Sequence, residues 1–467
     1  MAPFQFPPSG ASDLSPTSDA TANKEDREAG IIVDDNDVID VAAEKKLLKQ
    51  LDLRIIPALV AIFISVSVAS ESFGNSVILN ASTGDSLLQV LHMTRRQFLA
   101  VASISPVSHV LFPIPSNYML KYFSPPSWLA FLVLGSGVSL MIMAASHNYI
   151  TLLFFRLLLS AFSIGGPPGV FLLSLPAAAA FSGCIAYGVG FLNGIRGLEG
   201  WRWLFLIEGT PPCTLAILVY LFLPSYPENA IWLSNGDHAL AVRRMKQEPS
   251  KSLGHDKITW DGAKSTLKNG RLYLHYLLTI AFSVPEQSMW LFVPTIVSGL
   301  GYDGRDAQLL AVPPLAAAFI ASVGLSAVAD RYQAWSMCTL VSFVLAGTTF
   351  IVQGMLPAIA FMARYVLLCF ASTFTFMPYA SMLTWFTGNL RNTNGTTLAI
   401  PFNTIPAVVG QAIGVYIYKP REAPGYPTGH YTNEAVLLVG AACVQLLRWI
   451  YQRMNRYLDV GQHPWIV

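Results

Sequence analysis

The chain has 467 residues, of which 53% are hydrophobic and only 12% are charged, and its formal net charge is +2. Soluble domains carry about 25% charged residues, so this composition excludes a water-soluble body of this size. The small net charge excludes an overall basic field that would attract nucleic acid. The sequence therefore predicts one polytopic membrane protein that resides in a lipid bilayer.

Residues 1–44 are predicted to form a disordered acidic tail. They contain ten acids against Lys24 and Arg27 and are rich in Pro, Ser, Thr and Asp. Such a segment cannot bury enough apolar surface to become ordered. No basic segment precedes an apolar core near Met1, so the tail is not a signal peptide. The tail is either a solvated segment without function or a docking or degradation signal.

The rest of the chain consists mainly of apolar stretches long enough to cross a bilayer as helices, which takes about 20 residues each. A further apolar stretch, near 177–193, is short. The predicted full spans are 55–75, 98–120, 127–146, 150–174, 202–223, 273–297, 307–329, 335–356, 358–379, 396–418 and 433–452.

Basic residues predict the topology, because Lys and Arg concentrate in cytoplasmic loops. The segments predicted to be cytoplasmic are 45–54, Lys121, 224–271, Asp330–Arg331, Arg391 and the C-terminal end. The long interval 224–271 separates two groups of spans, as in transporters built from two six-span halves. The predicted regions are a tail (1–44), an N-terminal bundle (45–223), a central loop (224–271), a C-terminal bundle (272–456) and a second tail (457–467).

A glycosylation sequon, Asn80-Ala-Ser82, lies in the first loop that this topology places outside, which predicts a glycan on Asn80. A second sequon at Asn394 lies at a predicted cytoplasmic turn and is attributed to chance. The sequence has no dinucleotide fingerprint, phosphate-binding loop, HExxH or GxSxG motif, so no enzyme activity and no cofactor are predicted. The five cysteines are scattered through apolar stretches, which favours buried hydrophobes over a metal site.

Short motifs follow one another in an order typical of a known family. They are Leu51–Pro57, Phe73–Asn75, Val110–Asn117, Gly200–Gly209, Phe222–Glu228, Phe292–Val297, Ala329–Arg331 and Tyr426–His430. Together they resemble the major facilitator superfamily and, within it, the fungal anion:cation symporters that include allantoate and nicotinate permeases. The resemblance implies an all-α membrane fold of two six-helix bundles with the substrate path between them. It also implies proton-coupled uptake of a small organic anion by alternating access, and we expect a monomer in the plasma membrane.

The sequence departs from that family at three places where the family has acids or an ion pair. Ala69–Ser70 occupies the position of an Asp-Arg pair in the first span, and Glu71 follows it. Pro113 and Ser163 occupy positions of acids. Proton coupling needs a group that can gain and lose charge inside the membrane. Glu71 and Glu286 are therefore candidates to replace the missing acids.

A fourth departure lies between Leu175 and Pro176, where the family continues with a charged cytoplasmic turn and further residues. Residues 157–195 contain no charge and are too few for two full spans and a turn. Either a shortened hairpin folds around Pro176, or the region crosses once and inverts everything after it. We expect the hairpin, because inversion would place the basic central loop outside. A mis-spliced gene model is another explanation of the gap.

Polar residues within the spans are few, and ionisable residues there mark a pathway or a buried pair. The candidates for substrate binding or coupling are Glu71, Asn75, His109, Arg156, Glu286, Gln287, Arg364 and Asn403. For Arg156 and Glu286 the alternative is a structural pair. For Glu71 it is a position near the outer interface, and for His109 a hydrogen-bonded core histidine. Arg156 is the predicted partner of an anionic substrate, because guanidinium groups bind carboxylates in a two-pronged geometry.

Asp330 and Arg331 are predicted to gate the transporter by pairing with facing helix ends, and the alternative is a plain surface ion pair. Two further functions remain open for the chain as a whole. One is a transporter of the same fold that exports a metabolite. The other is a transport-inactive receptor or decayed copy, which the lost acids and the gap after Leu175 motivate.

Overall fold

The computed structural model is helical throughout the part of the chain that it describes. This part comprises residues 41–119, 122–163, 175–223, 268–302, 304–357, 359–390, 393–458 and 464–467, with Gly236, Leu240 and Lys264. The predicted acidic tail lies outside the described residues except for its last four, with which the first helix begins. Most of the predicted central loop also lies outside them.

The N-terminal half contributes eight helices to the described residues. They are α1 (Val41–Ile78), α2 (Leu87–Val90), α3 (Arg95–Leu111), α4 (Pro113–Met119), α5 (Pro125–Met143), α6 (Tyr149–Phe162), α7 (Leu175–Val189) and α8 (Gly200–Phe222). Polar residues begin several of them: the Asn148 side chain accepts the backbone N–H of Thr151 at 2.9 Å at the start of α6. Between the caps the residues are almost all apolar, and in lipid only a helix satisfies their backbone groups within one segment.

The C-terminal half contributes seven helices. They are α9 (Gly270–Gly299), α10 (Gly304–Tyr332), α11 (Trp335–Met355), α12 (Phe361–Phe376), α13 (Tyr379–Gly388), α14 (Thr393–Tyr416) and α15 (Pro427–Arg456). Each predicted apolar stretch corresponds to one helix or to two consecutive ones, as in α3–α4 and α12–α13. Among the described residues, seven helices are long and apolar enough to cross a membrane, and two shorter apolar helices accompany them.

One end of the bundle is marked by the buried residue Asn80, just after α1, and we call it the Asn80 end. The Asn80 side chain donates to the carbonyl of Gly190 after α7 at 3.2 Å, and its Oδ1 closely approaches the Cα of Gly200, where α8 begins. Gly304, the first residue of α10, lies against the carbonyl of Ile78. We call the opposite end, where α9 begins and α15 ends, the Arg271 end.

The two short helices α6 and α7 flank the predicted shortened hairpin. The start of α6 lies at the Asn80 end, because Arg202 in the first turn of α8 donates to the carbonyl of Ala144 just before α6, at 2.5 Å. The end of α7 lies at the same end of the bundle, where the Gly190 carbonyl accepts from Asn80. The hairpin itself stays a prediction. The connecting residues 164–174 lie outside the described part.

The two halves of the bundle contact each other at the Asn80 end. The Gln308 side chain of α10 donates to the backbone carbonyl of Asn75 in α1 at 2.8 Å. The Arg95 guanidinium at the start of α3 donates to the carbonyl of Tyr418 after α14 at 2.7 Å. These contacts hold the halves together at one end and leave space between them farther along the bundle.

Helices α5 and α8 approach closely through glycines, as membrane helices often do. A Cβ on Gly137 would lie 2.6 Å from Sγ of Cys213 and 2.7 Å from the carbonyl oxygen of Gly209. A Cβ on Gly209 would lie 2.9 Å from the carbonyl oxygen of Gly137. The helices can therefore keep this spacing only with hydrogen at both positions.

We predict that Gly137→Ala and Gly209→Ala each destabilise the folded protein by about 1–3 kcal/mol, because overpacking forces the backbones apart. Gly324→Ala is the control, since a Cβ at Gly324 would meet no heavy atom within 4 Å. Thermal unfolding of the purified protein in detergent measures the effect. Equal melting temperatures for all three variants would contradict the close contact.

Candidate substrate site

A cavity of about 280 Å³ lies between the two halves, and we call it the polar cavity. Helices α1, α3, α6, α9 and α14 form its walls. Five of the predicted site residues line it: Glu71, His109, Arg156, Glu286 and Gln287. The structure therefore brings together groups that are up to 216 positions apart in the sequence, as the numbers of Glu71 and Gln287 show.

Arg156 is the only arginine or lysine among the described residues that line this cavity. Its Nη1 donates to the backbone carbonyl of Ser70 at 2.9 Å, and its guanidinium carbon lies 5.1 Å from the centre of the Phe73 ring. The residue is only 8% exposed. Its Nε is buried and has no hydrogen-bond partner among the described residues. An unsatisfied buried N–H is costly, so this side of the guanidinium is suited to receive a ligand.

Two acids accompany Arg156 in the polar cavity. Glu71 is 8% exposed, lies within electrostatic reach of Arg156 and hydrogen-bonds to Trp290. Glu286 hydrogen-bonds to Gln411, and its Oε2 is buried without a partner among the described residues. With both acids ionised the three groups carry a net negative charge, and with both protonated they carry a net positive one. The affinity of the cavity for an anion therefore depends on its protonation.

A second cavity, of about 390 Å³, adjoins the first and extends toward the Arg271 end. We call it the aromatic cavity. The predicted candidates His109 and Glu286 line both cavities, and Asn403 lines the second. The Asn403 Oδ1 accepts the hydroxyl of Thr279 at 2.8 Å. Six of the eight predicted candidates thus line one or both of these neighbouring cavities.

Two predicted candidates do not face either cavity, and the structure corrects them. Asn75 points toward α7 instead, where its Nδ2 donates to Oγ of Ser182 at 2.7 Å. Asn75 follows Glu71 by four residues in α1, and helical steps of 100° leave about 40° between their side chains. That rotation is enough to turn Asn75 from the cavity into the contact with α7.

Arg364 lies near the start of α12 and binds backbone carbonyls at the Asn80 end. It donates to the carbonyls of Leu356 at 2.5 Å, Pro357 at 3.0 Å and Gly425 at 3.1 Å. The carbonyls of Leu356 and Pro357 follow the C-terminus of α11, where a helix leaves acceptors unpaired, and the carbonyl of Gly425 lies in the loop before α15. The buried charge of Arg364 is thus used to join loops, and the prediction of a substrate role is corrected.

The sequence reasoning missed Glu208, which is 1% exposed in α8. Its carboxylate accepts hydrogen bonds from Ser72 and, at 2.8 Å, from Ser182. Because Ser182 also accepts from Asn75, the network connects three helices of the N-terminal half. The signal in the sequence is an acid inside the predicted span 202–223, within the Gly200–Gly209 motif.

We predict that Glu208→Leu lowers the free energy of unfolding by about 1–3 kcal/mol, since it removes the acceptor of Ser182 and leaves Ser72 only its long contact with the Val68 carbonyl. Glu208→Gln keeps one acceptor and should lose less. Asp306→Asn serves as the control, because Asp306 is exposed. Thermal unfolding of the purified variants provides the comparison, and a Glu208→Leu variant as stable as the control would refute the network's contribution.

The structure argues against the predicted glycan on Asn80. The residue is 6% exposed, and the nitrogen that would carry the sugar donates to Gly190. Its other amide atom, Oδ1, lies against Gly200. A glycan would have to displace these contacts.

Near Asn80, hydrogen bonds from Asn193 and Thr83 lower the pKa of Asp85 below its ordinary value, so this loop retains an ionised acid.

We predict that the protein made in a fungal host shows no change in electrophoretic mobility after treatment with an N-glycosidase, because Asn80 is inaccessible once folded. Asn80→Gln should likewise migrate as the parent protein does. A glycosidase-sensitive band that disappears in Asn80→Gln would show that the modification occurs.

The predicted gating residues Asp330 and Arg331 lie at the Arg271 end of α10, and both are exposed. The Asp330 carboxylate accepts the indole N–H of Trp335 at 2.9 Å. The Arg331 guanidinium carbon lies 6.0 Å from the centre of the Tyr332 ring. Both contacts are made at the connection between α10 and α11. Gating by this pair stays a prediction.

Comparison with known proteins agrees with this architecture. Residues 64–415 match the family described as Major Facilitator Superfamily. The chain is 39% identical over 440 residues to the MFS transporter prlL of Fungal sp. (strain NRRL 50135), covering 90% of this chain and 88% of that protein. It is 27% identical to the MFS-type transporter cnsO of Penicillium expansum, covering 91% of this chain and 87% of that protein.

Among solved structures, the fold is similar to the crystal structure of a bacterial homolog of the human lysosomal transporter Spinster in an inward-facing, unoccupied conformation. The TM-score is 0.61 at 12% identity, and the match covers 85% of this chain and 97% of that one. The occupied form of the same protein gives a TM-score of 0.57. The predicted all-α polytopic membrane fold is thereby confirmed.

Proposed function

This chain belongs to the Major Facilitator Superfamily and is therefore a secondary membrane transporter and not an enzyme, and we propose that it carries an organic anion together with protons. The observation that supports this proposal is the buried guanidinium of Arg156 in the polar cavity, with Nε unpaired and two acids beside it. A carboxylate is the complementary ligand, since it accepts two parallel N–H bonds from a guanidinium.

Coupling to protons follows from the charges around this site. While Glu71 and Glu286 are both ionised, they compete with an anion for Arg156 and repel it. Protonation of either acid weakens that competition, so anion and proton favour each other's binding, as thermodynamic linkage requires. The two acids thereby take the place of those that the anion:cation symporters have elsewhere in the sequence.

Alternating access is proposed to proceed by separation of the halves at the Asn80 end. The contacts of Gln308 with Asn75 and of Arg95 with Tyr418 close that end. The basic segments 45–54 and 224–271 favour a cytoplasmic Arg271 end and an external Asn80 end. We further propose that the transporter works as a monomer in the plasma membrane and imports its substrate.

We predict that Arg156→Ala abolishes uptake of organic anions into proteoliposomes and that Arg156→Lys retains only a small fraction, because an ammonium group cannot form the two-pronged contact. Uptake of a broad panel of radiolabelled carboxylates is measured with an inward proton gradient. Arg96→Ala is the control, because Arg96 is an exposed arginine of the same half. If the parent protein takes up no carboxylate at any pH, the transport-inactive alternative is favoured over symport.

We predict that Glu286→Gln, which keeps the shape but cannot ionise, removes the dependence of uptake on the proton gradient while exchange of substrate across the membrane persists. Glu71→Gln tests the other acid in the same way. The comparison is between net uptake driven by a pH gradient and counterflow without one. Wild-type pH dependence in the double variant would exclude both residues as the coupling sites.

A further inference from the structure

The polar and aromatic cavities lie next to each other, and we call the two together the compartment. Four side chains line both of them: Phe63, His109, Glu286 and Gln411. Along α9 the lining residues run from Leu291 in the polar cavity to His275 in the aromatic cavity.

The compartment is long compared with a simple carboxylate. On α9 its lining residues run from Leu291 to His275, which is roughly 24 Å at 1.5 Å per residue. The aromatic cavity alone, at about 390 Å³, lies within the range of pockets that hold drug-sized ligands. A short aliphatic acid bound at Arg156 would leave this second space to water.

Five Phe and Tyr rings line the aromatic cavity: Phe63, Phe282, Phe376, Tyr379 and Phe386. Phe282 of α9 and Tyr379 of α13 stack with centroids 4.9 Å apart and an interplanar angle of 16°. Phe376 and Phe386 line the same space and are 5% and 4% exposed. Flat apolar groups pack against such surfaces in offset-stacked or edge-to-face contacts.

The arginine of the compartment, Arg156, lines the polar cavity. Among the described lining residues of the aromatic cavity, only the imidazoles of His109 and His275 could carry a positive charge. His275 is hydrogen-bonded through Nε2 to the hydroxyl of Tyr451, at 3.0 Å. An anionic group therefore belongs at Arg156, and an apolar group belongs in the aromatic cavity.

From this division we infer that the substrate is an amphipathic aromatic acid, with its anionic head at Arg156 and a flat body of two or more rings against Phe282 and Tyr379. This inference rests on the proposed function, because it uses the same arginine as the anion site. It adds that the aromatic cavity selects the body of the substrate. Displacement of water from these rings supplies affinity that a small acid cannot gain.

The test measures binding by isothermal titration calorimetry on the full-length protein in lipid nanodiscs. The probes are 2-naphthalenesulfonate and ethanesulfonate, which share a permanently ionised head and differ in the body. A neutral analogue, 2-naphthalenesulfonamide, has the body without the charge. Tyr379→Ala removes part of the aromatic wall, and Phe370→Ala is the matched control, since Phe370 lies on the neighbouring α12 and is 49% exposed.

We expect 2-naphthalenesulfonate to bind at least about tenfold more tightly than ethanesulfonate, as contact with several rings implies. Tyr379→Ala should weaken the naphthalene probe about fivefold and leave ethanesulfonate unchanged, and Phe370→Ala should change neither. Should Tyr379→Ala fail to fold, Phe282→Leu replaces it. The comparison of the two sulfonates on the parent protein tests the inference without any variant.

Two different failures are distinguishable. Equal affinity for the two sulfonates, both lost in Arg156→Ala, would overturn the aromatic substrate class and leave the proposed anion site standing. Binding of the neutral sulfonamide as tight as that of the sulfonate, and unchanged in Arg156→Ala, would overturn the proposed anion site itself. Absence of binding by all three probes would contradict both.

Discussion

The burial of Arg156 is the constraint on which the rest of this architecture depends. A guanidinium inside a membrane protein is stable only when carbonyls, rings or acids compensate for the water it has lost. Here the Ser70 carbonyl, the Phe73 ring and the nearby Glu71 all come from α1. The compensation is incomplete, because Nε has no partner among the described residues. That remaining deficit supports the proposed role of Arg156 as a binding group.

The acids of the N-terminal half divide into two environments. Glu71 faces the cavity, whereas Glu208 lies one helix away and is held by the hydroxyls of Ser72 and Ser182. The Glu208 network reaches the opposite half through Asn75, whose carbonyl accepts from Gln308. The proposed substrate site and the contact at the Asn80 end thus involve nearby residues of the same helix, α1. Movement of α1 would change both together.

The membrane fold was predictable because it depends on composition and periodicity, which are local. Apolar stretches of sufficient length can only be helices in lipid, and the described residues of the predicted spans are helical. The cavity was predictable in part, since any ionisable residue inside a span is exceptional. What the sequence could not supply was the rotation of each helix. That rotation turned Asn75 away from the cavity and buried Asn80, and loop geometry gave Arg364 its carbonyl contacts.

The central claim is that an anion and a proton bind to the same compartment with mutual dependence. Proton uptake on binding measures this most directly. Purified protein in a weakly buffered solution with a pH-sensitive dye is mixed with saturating 2-naphthalenesulfonate, which exchanges no proton itself. The account predicts net uptake of up to about one proton for each anion bound near neutral pH, and none in Arg156→Ala. Binding of the anion to the parent protein without any proton uptake across the neutral range would contradict it.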